Sequence, residues 1–320
     1  PHHNNNNSPH HHHPPTRPTT LPTPLHPPPP HPSPCGSHTQ LLGSPLTGCE
    51  KYLGGHLGSD GRIYGIPGCA RRVLRIEPGN GKVELVGPVF EGEFKWLRSV
   101  LAVDGMGREC IYGLPCHASC VLKIVPSTGE ISTFGDLGDR KWKYHGGNLA
   151  NGKIWCIPQK ASRVLVIDPL TETCAYVGGP WPGECKWYGG LVGRDGCVYG
   201  VPQNARGVLR IDVWDGGRCE VLGEMGEGGH KWHGGVVDGR GDIWGIPANA
   251  DGILKVTTGK EGEGGGGKGE GGGGGWRSWG QGSSGRGSTG TTGSTSSSAG
   301  YSDATGTSTS YPATPTTWFR

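Results

Sequence analysis

No run of about 18 apolar residues occurs in this sequence, so it carries no helical membrane span. Helical spacing of apolar residues is also missing, which removes the helical classes of repeat protein. Charge of either sign is not in excess. Residues 39–259 hold 24 Lys+Arg against 23 Asp+Glu, a difference of +1. A near-neutral domain lacks the electrostatic footprint of a nucleic-acid binder. The 11 Cys include no Cys-x-x-Cys, and the nearest pair, Cys116 and Cys120, has no second pair with which to hold zinc. An odd, unpatterned count favours reduced thiols inside a core over a disulfide framework, and it leaves the compartment open.

Aliphatic residues are almost absent from both ends. Residues 1–38 are rich in Pro, His and Asn, and from Gly259 the chain turns to Gly, Ser and Thr. Neither composition can bury a core, so a disordered arm (1–38) and a disordered tail (259–320) are expected around a domain spanning 39–258. Nine of the 14 His lie in the arm, including His10–His13, and the rest show no ligand spacing. No metal site and no cofactor are expected.

What is present is a repeat of roughly 45 residues. A Lys-aromatic pair recurs as Lys51-Tyr52, Lys95-Trp96, Lys143-Tyr144, Lys186-Trp187 and Lys231-Trp232. An aliphatic-aromatic-x-aliphatic-Pro run follows each pair, starting at Ile63, Ile111, Ile154, Val198 and Ile243. The second repeat departs from the others: Arg98-Ser99 replaces Gly-Gly, and Met106–Glu109 adds four residues to its first hairpin.

Four short strand signals fit in each repeat, separated by Asp-Gly and Gly-containing turns. In the Lys186 repeat they are Gly190–Val192, Val198–Val201, Val208–Ile211 and Cys219–Leu222. Four antiparallel strands in this length make one blade of an all-β propeller. The last repeat stops after its third strand, while Thr39–Gly43 reads as an orphan fourth strand in register with Cys219–Gly223. The expectation is therefore five blades, closed by pairing residues 39–43 with Ile253–Val256. The alternative is a fragment of a larger propeller.

The pattern Lys-[Trp/Tyr]-x-Gly-Gly resembles a β-propeller repeat group of algae and protists. More loosely it is similar to the kelch, streptogramin-B-lyase and gluconolactonase-type propellers. Such lyases and lactonases place a few unique His, Glu, Asp or Asn residues at the ring centre. No such motif carries over here residue by residue.

Strand alternation puts the Lys-aromatic pairs and the loops after each Pro on one face of the ring. That face gathers Lys51, Lys95, Lys143, Lys186 and Lys231, the indoles Trp96, Trp187 and Trp232, the amides Asn204 and Asn249, and His56, His117, His145, His230 and His233. A concave polar mouth is the default site. Residues that recur in every blade also serve blade geometry, with the Trp and Tyr wedged between blades. Two functions follow. The first is a non-enzymatic binding module, a monomer, that presents repeated sites to an acidic glycan or a protein; near-identity of the five mouth positions favours it. The second is a lyase- or lactonase-type enzyme with one central site.

Overall fold

The computed structural model describes residues 39–259, and the expectations for the arm and the tail lie outside that range. The described residues form strands and turns with no helix. The first sheet contains β1 (Tyr52–Leu57), β2 (Ile63–Pro67), β3 (Val73–Glu77) and β4 (Lys82–Val86). The second contains β5 (Trp96–Val103), β6 (Glu109–Pro115), β7 (Val121–Val125) and β8 (Glu130–Phe134). The third contains β9 (Tyr144–Ala150), β10 (Lys153–Pro158), β11 (Val164–Asp168) and β12 (Thr173–Val177). The fourth contains β13 (Trp187–Val192), β14 (Val198–Pro202), β15 (Val208–Asp212) and β16 (Arg218–Leu222). The fifth has three strands, β17 (Trp232–Val237), β18 (Ile243–Pro247) and β19 (Leu254–Val256).

Every sheet is an antiparallel meander in chain order. The first strands β1, β5, β9, β13 and β17 pack side by side in succession and line the axis. Two sequence details are absorbed locally. The four extra residues of the second repeat become additional ladder pairs, Ala102↔Cys110 and Val103↔Glu109, so Gly113 keeps its place opposite Leu122. The first strand of the fourth sheet starts at Trp187, three residues earlier than expected, because the Gly-Gly step is taken up as a register shift between Gly189 and Leu191.

Hydrophobic burial lies between sheets. One core joins sheets one and two around Ile66, Trp96 and Leu122, and another joins two and three around Leu114, Tyr144 and Ile154. A third joins three and four around Ile157, Trp187 and Leu209, and a fourth joins four and five around Val201, Trp232 and Leu254. Trp96, Tyr144, Trp187 and Trp232 thus wedge between neighbouring sheets. The small residue inside each second strand admits the Leu of the third strand. At Gly200 and Gly245 it also admits Ile157 and Val201 of the preceding sheet.

The expected closure does not form. Residues 39–43 make no strand, and Leu42 and Gly43 lie against Gly81 and Val83 at the outer edge of the first sheet, not beside β19. The reason is visible in the cores. Five sheets are joined by four of them, so the first and fifth sheets are not brought together.

Candidate functional site

The lysine ring lies on the expected face, but its ammonium groups are already engaged. Lys95 Nζ donates to the carbonyls of Gly68 (2.8 Å) and Gly92 (2.7 Å). Lys143 Nζ donates to His117, Gly138 and Arg140, and Lys186 Nζ to Gln159 (3.1 Å) and Gly183 (3.0 Å). Lys231 Nζ donates to Ala205, Gly226 and Gly228. In each of these one acceptor belongs to the preceding sheet. Among the described residues no sheet precedes Lys51, and it donates to Gly48. Lys95, Lys143 and Lys186 are 3–4% exposed. Burial pulls Lys186 down to about 8, and the two carbonyls hold it as an ammonium at neutral pH. These side chains clamp sheet to sheet and do not form a charged mouth.

The indoles are engaged in the same way. Trp96, Trp187 and Trp232 each donate Nε1 to a carbonyl in their own sheet, those of Cys120, Gly207 and Gly252. Asn204 and Asn249 brace the loops ahead of them. Asn204 accepts from the His230 N–H at 2.9 Å, and Asn249 donates to the carbonyls of Gly229 and His230. In the third strands Lys123, 2% exposed, pairs with Asp104 (2.8 Å) and Glu172 (2.6 Å), while Arg210 meets Asp195 and Glu220. Burial alone would raise the Asp104 carboxyl. Hydrogen bonds from Arg108 and Lys123 hold it well below the usual range.

A second set of polar and aromatic side chains sits at the axis. The residue after each Lys-aromatic pair is Leu53, Leu97, His145, Tyr188 and His233, so this position changes character while its neighbours repeat. The irregular register that follows it in the first strands re-aims the side chain. The glycine there has positive φ, as at Gly146 (93°), Gly189 (93°) and Gly234 (80°). In the second sheet Arg98 takes that place at φ 66°, a conformation costly for a residue with a Cβ.

Three of these side chains converge. The rings of His145 and Tyr188 are 4.0 Å apart, those of Tyr188 and His233 4.2 Å, and those of the two imidazoles 6.3 Å. Gln159 Nε2 donates to Tyr188 Oη (3.3 Å), and Gln203 Nε2 meets His230 Nδ1 (2.8 Å). Both glutamines are buried, and their side-chain oxygens find no hydrogen-bond partner, nor does His145 Nδ1. Burial, and then the Arg98 charge, pull His145 down to about 3 and also lower His233. Burial lifts Tyr188 to about 12. The cluster is therefore neutral at pH 7, with Arg98 as its nearby cation.

A second aromatic group lies on the same face between sheets two and three. Phe94, His117 and Trp142 stand 4.7–5.4 Å apart, and burial with nearby Lys141 pulls His117 down to about 4. On the opposite face a cleft is lined by Arg194, Asp195, Cys197, Arg210, Asp212 and Trp214, whose charges largely pair with one another. The ten described cysteines are free thiols, and burial raises Cys110, Cys116, Cys156 and Cys197. Among the described residues no group of three or more His, Cys, Asp and Glu is placed to hold a metal ion.

No family model matches the sequence, and no curated protein does. Solved structures do match the fold. Virginiamycin B lyase from Staphylococcus aureus aligns at TM-score 0.52 and 15% identity, over 65% of this chain and 67% of that one. A streptogramin B lyase aligns at TM-score 0.51 and 14% identity, over 66% of each chain. The chain is a β-propeller. A propeller from a nidogen/laminin complex aligns at TM-score 0.44 and 10% identity, over 64% of this chain and 75% of that one. This propeller spans about two thirds of the length of the lyases it matches.

Sequence reasoning grouped His145 and His233 on the face of the Lys-aromatic pairs and noted Arg98 as a departure from the repeat without giving it a role, but it did not single out Tyr188. The signal was available as the one position beside the Lys-aromatic pair that does not repeat.

Proposed function

We propose that this propeller is a binding module that takes one glycan at its axis, held by Arg98, His145, Tyr188 and His233. The observation that carries the reading is the convergence of His145, Tyr188 and His233 beside buried acceptors that lack donors, the side-chain oxygens of Gln159 and Gln203. Sugar hydroxyls supply such donors, and aromatic rings offer faces to pyranose carbons. Arg98 favours a ring bearing a carboxylate. Four of the five repeated lysines are engaged as clamps, so the support moves from repeated sites to a single one.

The test is calorimetric titration of the whole chain with neutral and uronate-containing oligosaccharides. Uronates are expected to bind, more weakly as salt rises. Replacing Arg98 by Gln should lower affinity about tenfold, and Tyr188→Ala should abolish it, while Lys231→Gln leaves affinity unchanged. Binding that ignores Arg98 and Tyr188 overturns the reading.

A second reading, a lyase-type enzyme, is supported by the convergence of two unprotonated imidazoles and a phenol at one place on the axis. It predicts bond cleavage in the bound oligosaccharide, lost in His145→Gln and His233→Gln even where binding persists.

A further inference from the structure

The two ends of the sheet succession expose positions that are buried everywhere else. Ile246 is 51% exposed, whereas its equivalents Ile66, Leu114, Ile157 and Val201 are 0% exposed. Ile253 is 68% exposed, against at most 1% for Val73, Val121, Val164 and Val208. At the other end Ile63 is 38% exposed, and Ile111, Ile154, Val198 and Ile243 are 0%. Ile246 and Ile253 mark the face that each sheet turns to the next; Ile63 marks the face turned to the one before. In the fifth sheet β19 pairs with β18 on one side, and among the described residues no strand pairs with its outer side, which presents an open backbone edge.

Residues 39–43 define what is missing before the first sheet. Gly43 lies against Val83 of β4, just as Gly87 lies against Ile131 of β8, Gly135 against Cys174 of β12 and Gly178 against Cys219 of β16. All four glycines have positive φ. Each of the other three ends the outer strand of one sheet and touches the outer strand of the next. Residues 39–43 therefore sit where the outer strand of a preceding sheet would end, and the three inner strands of that sheet are not among the described residues.

We propose that the exposed faces of the first and fifth sheets, with the edge of β19, dock a second polypeptide built from the same Lys-aromatic repeat. Its phase follows from the two ends. It begins with an outer strand that pairs with β19, continues with one whole four-stranded sheet, and ends with three strands that residues 39–43 complete. The size agrees, because the unmatched third of the lyase chain leaves room for about two further sheets. A second whole copy, with five sheets, does not fit such a gap. The docking faces repeat the contacts already made between sheets, which is why this partner chemistry fits.

The phase exists within this chain: residues 171–258 contain β12, the fourth sheet and the three strands β17–β19. That polypeptide, refolded with the full chain of 320 residues, is the probe. A 1:1 complex is expected by light scattering, with amide exchange at Leu254–Val256 slowed at least ~100-fold and dye binding to apolar surface lost. Residues 143–223, two whole sheets in the wrong phase, should not slow exchange at β19. Replacing Ile246 by Glu and Ile253 by Lys in the full chain should abolish the complex and leave its own melting temperature in place, since both side chains are exposed. Appending a copy of 171–258 after Thr258 tests the idea without relying on the probe's solubility. The fused protein should melt higher and lose the dye signal. Absence of both effects overturns the proposal. So does association of the chain with itself through the same residues, or slow exchange at β19 in the chain alone.

Discussion

A buried ammonium needs acceptors, and at Lys186 they are the carbonyls of Gln159 and Gly183, one on each side of a sheet boundary. Replacing Lys186 by Met removes the donor and leaves both acceptors in place. Urea unfolding should show a loss of about 1–3 kcal/mol. Lys51→Met, which gives up one exposed bond to Gly48, should change stability by less than about 0.5 kcal/mol. The histidines set the acid limit. His117 and His145 are pulled to about 4 and about 3, below the ordinary value near 6.5. The unfolded chain therefore binds more protons between those values, and stability falls as pH drops from about 6.5 toward 3. Denaturant titrations at successive pH values should show this slope, and His145→Gln should flatten it. An unchanged slope would mean that His145 titrates normally in the folded protein.

At the scale of the strand, the Gly-Gly step after four of the five Lys-aromatic pairs bends the innermost strand and aims its second side chain at the axis. A Cβ on Gly146, at φ 93°, would collide with the Gly189 carbonyl of the next sheet. Gly146→Ala should therefore lower stability by more than about 2 kcal/mol, since backbone must move as well as adopt a strained φ. Gly234 is the same position in the fifth sheet, with nothing within 4 Å. Gly234→Ala should cost only the φ term, about 1–2 kcal/mol. Equal losses at the two positions would argue that a sheet follows the fifth in solution. The hairpin beside the third strand of the second sheet holds a buried ion pair. Removing Asp104 leaves Lys123 paired with Glu172 alone, at a cost of about 1–3 kcal/mol, while replacing both by Leu and Met should recover most of it. Thermal denaturation of the single and double variants separates the two cases.

Over the whole molecule, stability comes from four inter-sheet cores, each made by aliphatic and aromatic residues from facing strands. Because each core depends on two neighbouring sheets, damage within one sheet should spread to its neighbours before it reaches the far end. Amide exchange in Gly146→Ala should accordingly rise first in the third and fourth sheets and last at β3. Uniform acceleration would show instead that the five sheets unfold as one unit.

The repeat, its strand count and the wedged aromatics were legible in the sequence, because turn chemistry and alternation act over a few residues and recur five times. The face carrying the Lys-aromatic pairs followed from strand direction alone. The roles on that face did not. The acceptors of Lys95, Lys143, Lys186 and Lys231 are backbone carbonyls, which no side chain announces, so a row of clamps read as a row of free charges. The axial cluster depends on three strands lying next to one another and on a bulge that turns their side chains inward. Residues 39–43 read as an orphan fourth strand, yet they form no strand, because the first and fifth sheets do not meet. Local pattern specifies the phase of a segment; the packing of whole sheets sets where it goes, and here Leu42 and Gly43 lie on the outer edge of the first sheet, with the outer side of β19 left open.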